Sequence, residues 1–409
     1  MTLRHKLSPH PKNPWRAEFF MDHSRTYMDH IAGTPLASEV FAAMLPFLGK
    51  DFGNPASLHH HGEAPQDALF RSREQVALLL GAEAEEIIFT SCGTESNNLA
   101  LKGIAFERMG RGRHLVISAI EHYSILYAAK ALERFGFEIS EVPVDRFGRV
   151  DPGVVEQALR ADTILVSIMH ANNEVGTIQP LAAISRLTRA RGIPLHTDAI
   201  ASVGRIPVNV KELGVDLLSL SANQFYGPQG VAALYCRKGT QLWPLFHGGG
   251  QEDGRRTGTE NVPGIVGLGK AAEMAREALP RRVEACRHLE SLLRREITEQ
   301  IEEVQFNGHP EEHLPGLVNV SIRYVEGEAL LLHMDMRGIS VAGASACMSI
   351  TAKASHVLEA MGALQDGASG TILFTLGEDN TEPEVHHAVL TLSQIVTMLR
   401  AMSPLYLGR

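Results

Sequence analysis

Residues 163–169, Thr-Ile-Leu-Val-Ser-Ile-Met, form a continuous apolar run. A strand with one wet face alternates apolar and polar side chains. A continuous run of this length suits a strand covered on both faces. Residues 86–90, 114–118, 193–197, 215–220 and 231–235 read as further strands. Helical patterns fall between them. One runs from Gly93 to Met109, and another places Ala68, Leu69, Val76, Leu79 and Leu80 on one face. Strands alternating with helices predict an α/β fold built on a mostly parallel, doubly wound sheet.

Open sheets of this kind bind ligands beyond the carboxyl ends of their strands. Polar clusters follow these strands directly: residues 91–96, Glu121 with His122, residues 172–174, Asp198, and residues 221–224. That shared placement predicts one site. Past residue 280 the pattern changes. Residues 281–300 read as a long charged helix, 317–322, 338–341 and 371–375 as short strands, and 382–402 as a closing helix. A smaller α+β domain is expected there. The expected division is a large domain over 32–280 and a small one over 27–31 with 281–409. Residues 1–26 combine basic residues with Pro9, Pro11 and Pro14 and read as a draped or disordered extension.

The net charge of −9 over 409 residues argues against nucleic acid or an anionic membrane as partner. No apolar run has the length of a membrane span, and residues 1–25 lack the apolar core of a targeting peptide. A cytoplasmic protein is expected. The four cysteines, Cys92, Cys236, Cys286 and Cys347, show no CxxC pair and no metal-finger spacing. They fit a reducing compartment, and no metal site follows from them directly.

Several stretches together resemble the cysteine desulfurases of the NifS/IscS type, within the class V aminotransferases and the fold-type I pyridoxal-phosphate proteins. They are residues 27–35 (Tyr-Met-Asp-His-Ile-Ala-Gly-Thr-Pro), 89–100 (Phe-Thr-Ser-Cys-Gly-Thr-Glu-Ser-Asn-Asn-Leu-Ala), 166–176, Tyr226-Gly-Pro-Gln-Gly230, His247-Gly-Gly-Gly-Gln-Glu252, Arg256-Thr-Gly-Thr259 and Ala342-Gly-Ala-Ser-Ala-Cys347. The resemblance spans nearly the whole chain from Tyr27. It implies a homodimer and a cofactor cup. Asp198 would lie under the pyridine nitrogen, where an anion keeps the ring an electron sink. Gly93 and Thr94 would bind phosphate at a helix start, with Ser221 as a second ligand and Thr259 delivered from a partner subunit. His122 would stack on the ring, and Asn172 would face its hydroxyl.

Five positions depart from the family pattern. Gln224 stands where the Schiff-base lysine is expected, and a carboxamide is neither a nucleophile toward an aldehyde nor a base. Asn223 replaces a histidine, Ala201 a glutamine, and Leu373 the arginine that clamps a substrate carboxylate. Gly33 also replaces a threonine. Lys211, Lys238 and Lys353 are the nearest substitutes by sequence, and the first two belong to the sheet's flanks. Cys347 keeps the place of the thiolate that carries a persulfide. The resemblance with these losses implies a desulfurase-like protein with at most non-covalent pyridoxal phosphate. It would serve as scaffold, sulfur relay or regulator in sulfur and iron–sulfur metabolism. Cys347 would meet a sulfur-acceptor or scaffold protein, and would be able to share an iron–sulfur cluster with it. Alternatives are an active desulfurase with untethered cofactor, or another enzyme in a pocket made roomier and more apolar by Leu373 and Ala201.

Overall fold

The computed structural model describes residues 25–343, 355–363 and 369–407. A short strand β1 (Thr26–Tyr27) precedes the principal sheet. That sheet contains β2 (Ile87–Thr90), β3 (His114–Ser118), β4 (Glu138–Val142), β5 (Thr163–Ser167), β6 (Leu195–Asp198), β7 (Leu217–Ser221) and β8 (Ala232–Cys236). Across the sheet the order is β2-β8-β7-β6-β5-β3-β4. From β7 to β4 all neighbours are parallel. β8 runs antiparallel to both β7 and β2. The sheet is therefore mostly parallel, as the alternation predicts.

Every residue of β2, β3, β5, β6, β7 and β8 is buried. Two-sided burial is the reason these strands lack alternation. β4 lies at the edge and exposes Glu138 and Glu141. Its mixed composition hid it from the sequence reading, which placed no strand there.

A second core forms around β9 (Val304–Asn307), β10 (Leu317–Arg323) and, after the two-residue β11 (Ile339–Ser340), β12 (Ser369–Thr375). The antiparallel order is β12-β10-β9. Val318, Val320 and Phe374 pack there against Val385, Val389 and Leu392 of the helix Glu382–Met402. That helix starts with a capping box in which Thr381 and Glu384 satisfy each other's backbone N–H groups. β1 pairs in parallel with β11, which ties the start of the described chain to this second core.

The helix expected over 281–300 is the second half of a 39-residue helix, Val262–Gln300. It continues through Pro280. Ile265 and Leu268 serve the large core, and Leu289, Leu293 and Ile297 the smaller one. The expected boundary at 280 thus falls inside a continuous helix. Among the described residues no helix is long and apolar enough to cross a membrane.

Candidate active site

β6 ends at Asp198, which is 4 % exposed. Its Oδ2 accepts from Asn97 Nδ2 at 2.7 Å and its Oδ1 from the Ile200 N–H at 3.0 Å. Burial raises its pKa, and no lysine or arginine among the described residues pairs with it. A buried carboxylate held only by neutral donors is matched to a cationic N–H from a ligand.

The same Asn97 amide also donates to Ser124 Oγ at 2.8 Å. Ser124 Oγ lies 2.7 Å from His122 Nδ1, which accepts the Ser124 N–H at 3.1 Å as the helix Tyr123–Glu133 begins. With Nδ1 an acceptor, the neutral imidazole carries its proton on Nε2. Asp198, Asn97, Ser124 and His122 form one chain of hydrogen bonds that fixes both the carboxylate and the imidazole. Asn97 and Ser124 escaped the sequence reading. The signal was present: Asn97 lies one turn past Thr94, and buried amides inside helices need partners.

The helix Gly93–Arg108 starts after an extended Cys92, and no side chain caps it. Its first N–H groups therefore remain available to an anion. A Cβ on Gly93 would lie 2.1 Å from Ile200 Cδ1 and 3.8 Å from Ser221 Cβ. The helix start thus packs closely on Ile200, in the turn after Asp198, and lies near the end of β7. Thr94 is exposed at this start. Ser221 Oγ donates to Asn223 Oδ1 at 2.7 Å. Gly93, Thr94, Ser221, His122 and Asp198 thus gather at the carboxyl ends of β2, β3, β6 and β7. Residues of this kind fit the ring and phosphate of pyridoxal phosphate.

Two further expected ligands, Asn172 and the Thr259 expected to serve a partner subunit, have surroundings of their own. Asn172 is fully buried and serves its own loop: Oδ1 accepts from the Glu174 and Val175 N–H groups at 2.9 Å, and Nδ2 donates to the Ile120 carbonyl at 3.0 Å. Thr259 is exposed and lines a small cavity with Thr90, Ser91 and Arg256; Gly93 and Thr94 do not line that cavity.

Gln224 closes the one-turn helix Ala222–Gln224 after β7. Its Nε2 donates to the Ile31 carbonyl at 3.0 Å, while Oε1 has no partner. The chain at Ile31–Thr34 folds over it, with Thr34 donating through both N–H and Oγ1 to the Asn223 carbonyl. No amine stands at this position. Lys211 is exposed and 3.6 Å from Glu83, and Lys238 follows β8 at the opposite end of the sheet. Lys353 and Cys347 lie outside the described residues.

Leu373, in the middle of β12, is 2 % exposed and packs with Ala171, Ala201, Leu314, Leu317 and Ala342. The position is apolar, as expected, but it is filled rather than roomier. Ala201 and Leu373 belong to one cluster, so the two departures are a single packing solution. An arginine there would place a charge among alkyl groups.

Glu121, next to His122, is fully buried; Oε1 accepts from Ser118 Oγ at 2.6 Å and from the Met169 N–H at 2.8 Å. Burial pushes its pKa up to about 8. Among the described residues no cluster of His, Cys, Asp and Glu is placed to hold a metal ion.

A mostly parallel sheet with an anion-ready helix start and a buried carboxylate at its carboxyl edge defines a class of pyridoxal-phosphate proteins. The chain belongs to the aminotransferase class-V family, whose pattern matches residues 26–387. It is 49 % identical over 378 residues to the cysteine desulfurase IscS of Dictyoglomus turgidum, covering 92 % of this chain and 96 % of that protein. It is 46 % identical over 386 residues to the cysteine desulfurase IscS of Methanosarcina thermophila, covering 94 % and 95 %. A solved NifS-like protein shares 38 % identity with a TM-score of 0.86, over 91 % of this chain and all of that one. Pyridoxal phosphate is the cofactor of this family.

Proposed function

We propose that this protein handles cysteine-derived sulfur in sulfur and iron–sulfur metabolism, and that it seats pyridoxal phosphate without a covalent bond. The hydrogen-bonded chain from Asp198 through Asn97 and Ser124 to His122 carries this reading. Asp198 would meet the ring nitrogen, His122 the ring face, and the Gly93 helix start with Thr94 and Ser221 the phosphate. When bound, the cofactor supplies an electron sink. Gln224 holds the Ile31 carbonyl instead of the aldehyde carbon. Thr259, exposed, is free to reach the site of a second copy, which makes a homodimer the expected assembly.

Two versions of the activity share this seat. The relatives' common name favours conversion of L-cysteine to L-alanine, with the sulfur passed to Cys347. Turnover would then be slow, because Gln224 provides neither amine nor base. The packed cluster around Leu373 favours the second version. There the protein holds the cofactor but not free cysteine, and Cys347 serves a scaffold or sulfur-relay role toward a partner. Purified protein loaded with pyridoxal phosphate and given L-cysteine separates the two. With excess dithiothreitol present to reduce the Cys347 persulfide, alanine and sulfide formed in step support the first, and saturating cofactor without alanine supports the second. Protein that takes up no cofactor contradicts both.

A further inference from the structure

A separate small cavity lies beside Gln224. It is lined by Arg205, Gln224, Tyr226, Arg282, Cys286 and Glu378, among others, and by none of Asp198, His122, Thr94 and Ser221. Its volume is about 20 Å³. A single water needs on the order of 10–15 Å³ on this scale, so the space suits one small body.

The lining carries a surplus of positive charge. Arg282, 6 % exposed, donates from Nε and Nη2 to the Glu378 carboxylate at 2.7 and 3.0 Å and lies over the Tyr226 ring. Its Nη1 has no partner. Arg205 donates to the carbonyls of His30 at 2.7 Å and Leu376 at 3.5 Å, not to a carboxylate, and its buried Nε is also unpaired. Gln224, 8 % exposed, leaves Oε1 as an unpaired acceptor. Burial keeps Cys286 a thiol rather than a thiolate, so it adds no negative charge. Among the lining residues two guanidinium groups stand against one carboxylate, with Asp379 and Glu290 acting on Tyr226 and Cys286 from outside the lining; two unpaired donors and one unpaired acceptor match a small ligand that accepts two hydrogen bonds and donates one. A buried cation without a counter-charge is costly, and a neutral water would fill the space without balancing it.

We propose that this cavity binds one small monoanion of the halide and hydrosulfide class, and that hydrosulfide is the better match. Its sulfur accepts from the Arg205 and Arg282 N–H groups, while its S–H is a donor for Gln224 Oε1. A halide has no such proton. The preference for hydrosulfide rests on the sulfur-handling function proposed above; the anion site itself does not. The glutamine at position 224 then has a structural purpose beyond the loss of an amine: it forms the wall between the cofactor seat and the anion.

The test uses the full chain in chloride-free gluconate buffer, titrated anaerobically with sodium hydrosulfide, sodium bromide or sodium gluconate at equal ionic strength. Hydrosulfide is expected to raise Tm saturably by about 1–2 °C, bromide less, and gluconate not at all. Arg205→Gln is expected to weaken the response about tenfold. Gln224→Leu is expected to remove the preference for hydrosulfide over bromide. Crystals soaked in bromide give a readout that needs no variant to fold: an anomalous peak between Arg205 and Arg282. Equal responses to all three salts, or a bromide-soaked crystal with only water in the cavity, overturn the proposal. Cofactor uptake measured on the same samples keeps the two sites apart. An anion response without cofactor uptake sinks the cofactor seat alone, and cofactor uptake without an anion response sinks the cavity alone.

Discussion

Asn97 Nδ2 lies 2.7 Å from Asp198 Oδ2, and the same amide reaches Ser124 Oγ at 2.8 Å. One side chain thus holds the carboxylate and, through Ser124, the imidazole of His122. Asn97→Ala removes donors from two buried acceptors, a loss of about 1–3 kcal/mol each where no water replaces them. Pyridoxal phosphate titrated into this variant is expected to bind about tenfold more weakly by absorbance. Unchanged affinity would show that Asp198 and His122 hold their places without it.

Gln224→Lys places an amine at the end of the turn Ala222–Gln224. Borohydride treatment after cofactor loading is expected to attach the reduced cofactor to residue 224, as read by peptide mass. Alanine production is expected to stay absent or low in this variant, because Leu373 still fills the carboxylate side. Full cysteine turnover by the single variant would contradict the role given to that cluster.

Leu373→Arg forces a cation among Ala171, Ala201, Leu314 and Leu317. Urea unfolding is expected to show a loss of about 3–5 kcal/mol. Leu373→Met, close in volume, is expected to cost less than about 1.5 kcal/mol. An arginine variant as stable as the parent would mean that this side of the site is open to water.

Stability should depend on pH through two sets of buried groups. Burial lifts Glu121 to about 8 and Glu174 to about 7 from 4.5. Folding favours their protonated forms, so their contribution is complete below about 4.5 and is lost as pH rises through 7 to 8. His30 and His170 are pushed down to about 4, and His196 to about 3, from 6.5. Folding favours their neutral forms, so their contribution is complete above 6.5 and is lost as pH falls toward 4 and 3. Glu121→Gln is expected to raise the urea midpoint at pH 9 relative to the parent, leave the loss below pH 6 in place, and match the parent near pH 4. Equal pH profiles for parent and variant would contradict the burial of an acid at position 121.

Much of the fold was legible because two-sided burial leaves a plain mark. β3 matches its expected bounds, and the Glu382–Met402 helix does too. β4 and β9 were not legible, since each exposes part of its length and mixes polar with apolar side chains. The long helix was read only in its charged half, because Val262–Ala275 packs into the large core and lacks a polar stripe. At the site, strand-end polar residues pointed to Asp198, His122 and the Gly93 turn. Asn97 and Ser124 were missed because their partners lie 101 and 27 residues away from Asn97. The shared packing of Ala201 and Leu373 is likewise a relation in space, invisible as two separate substitutions.

The most direct measurement is absorbance of the purified full-length protein loaded with pyridoxal phosphate, followed by dialysis and by borohydride reduction with intact-mass analysis. Bound cofactor that washes out, with the mass of the chain unchanged after reduction, is the expected result. A chain carrying one reduced cofactor on a side-chain amine would contradict an untethered seat at Gln224.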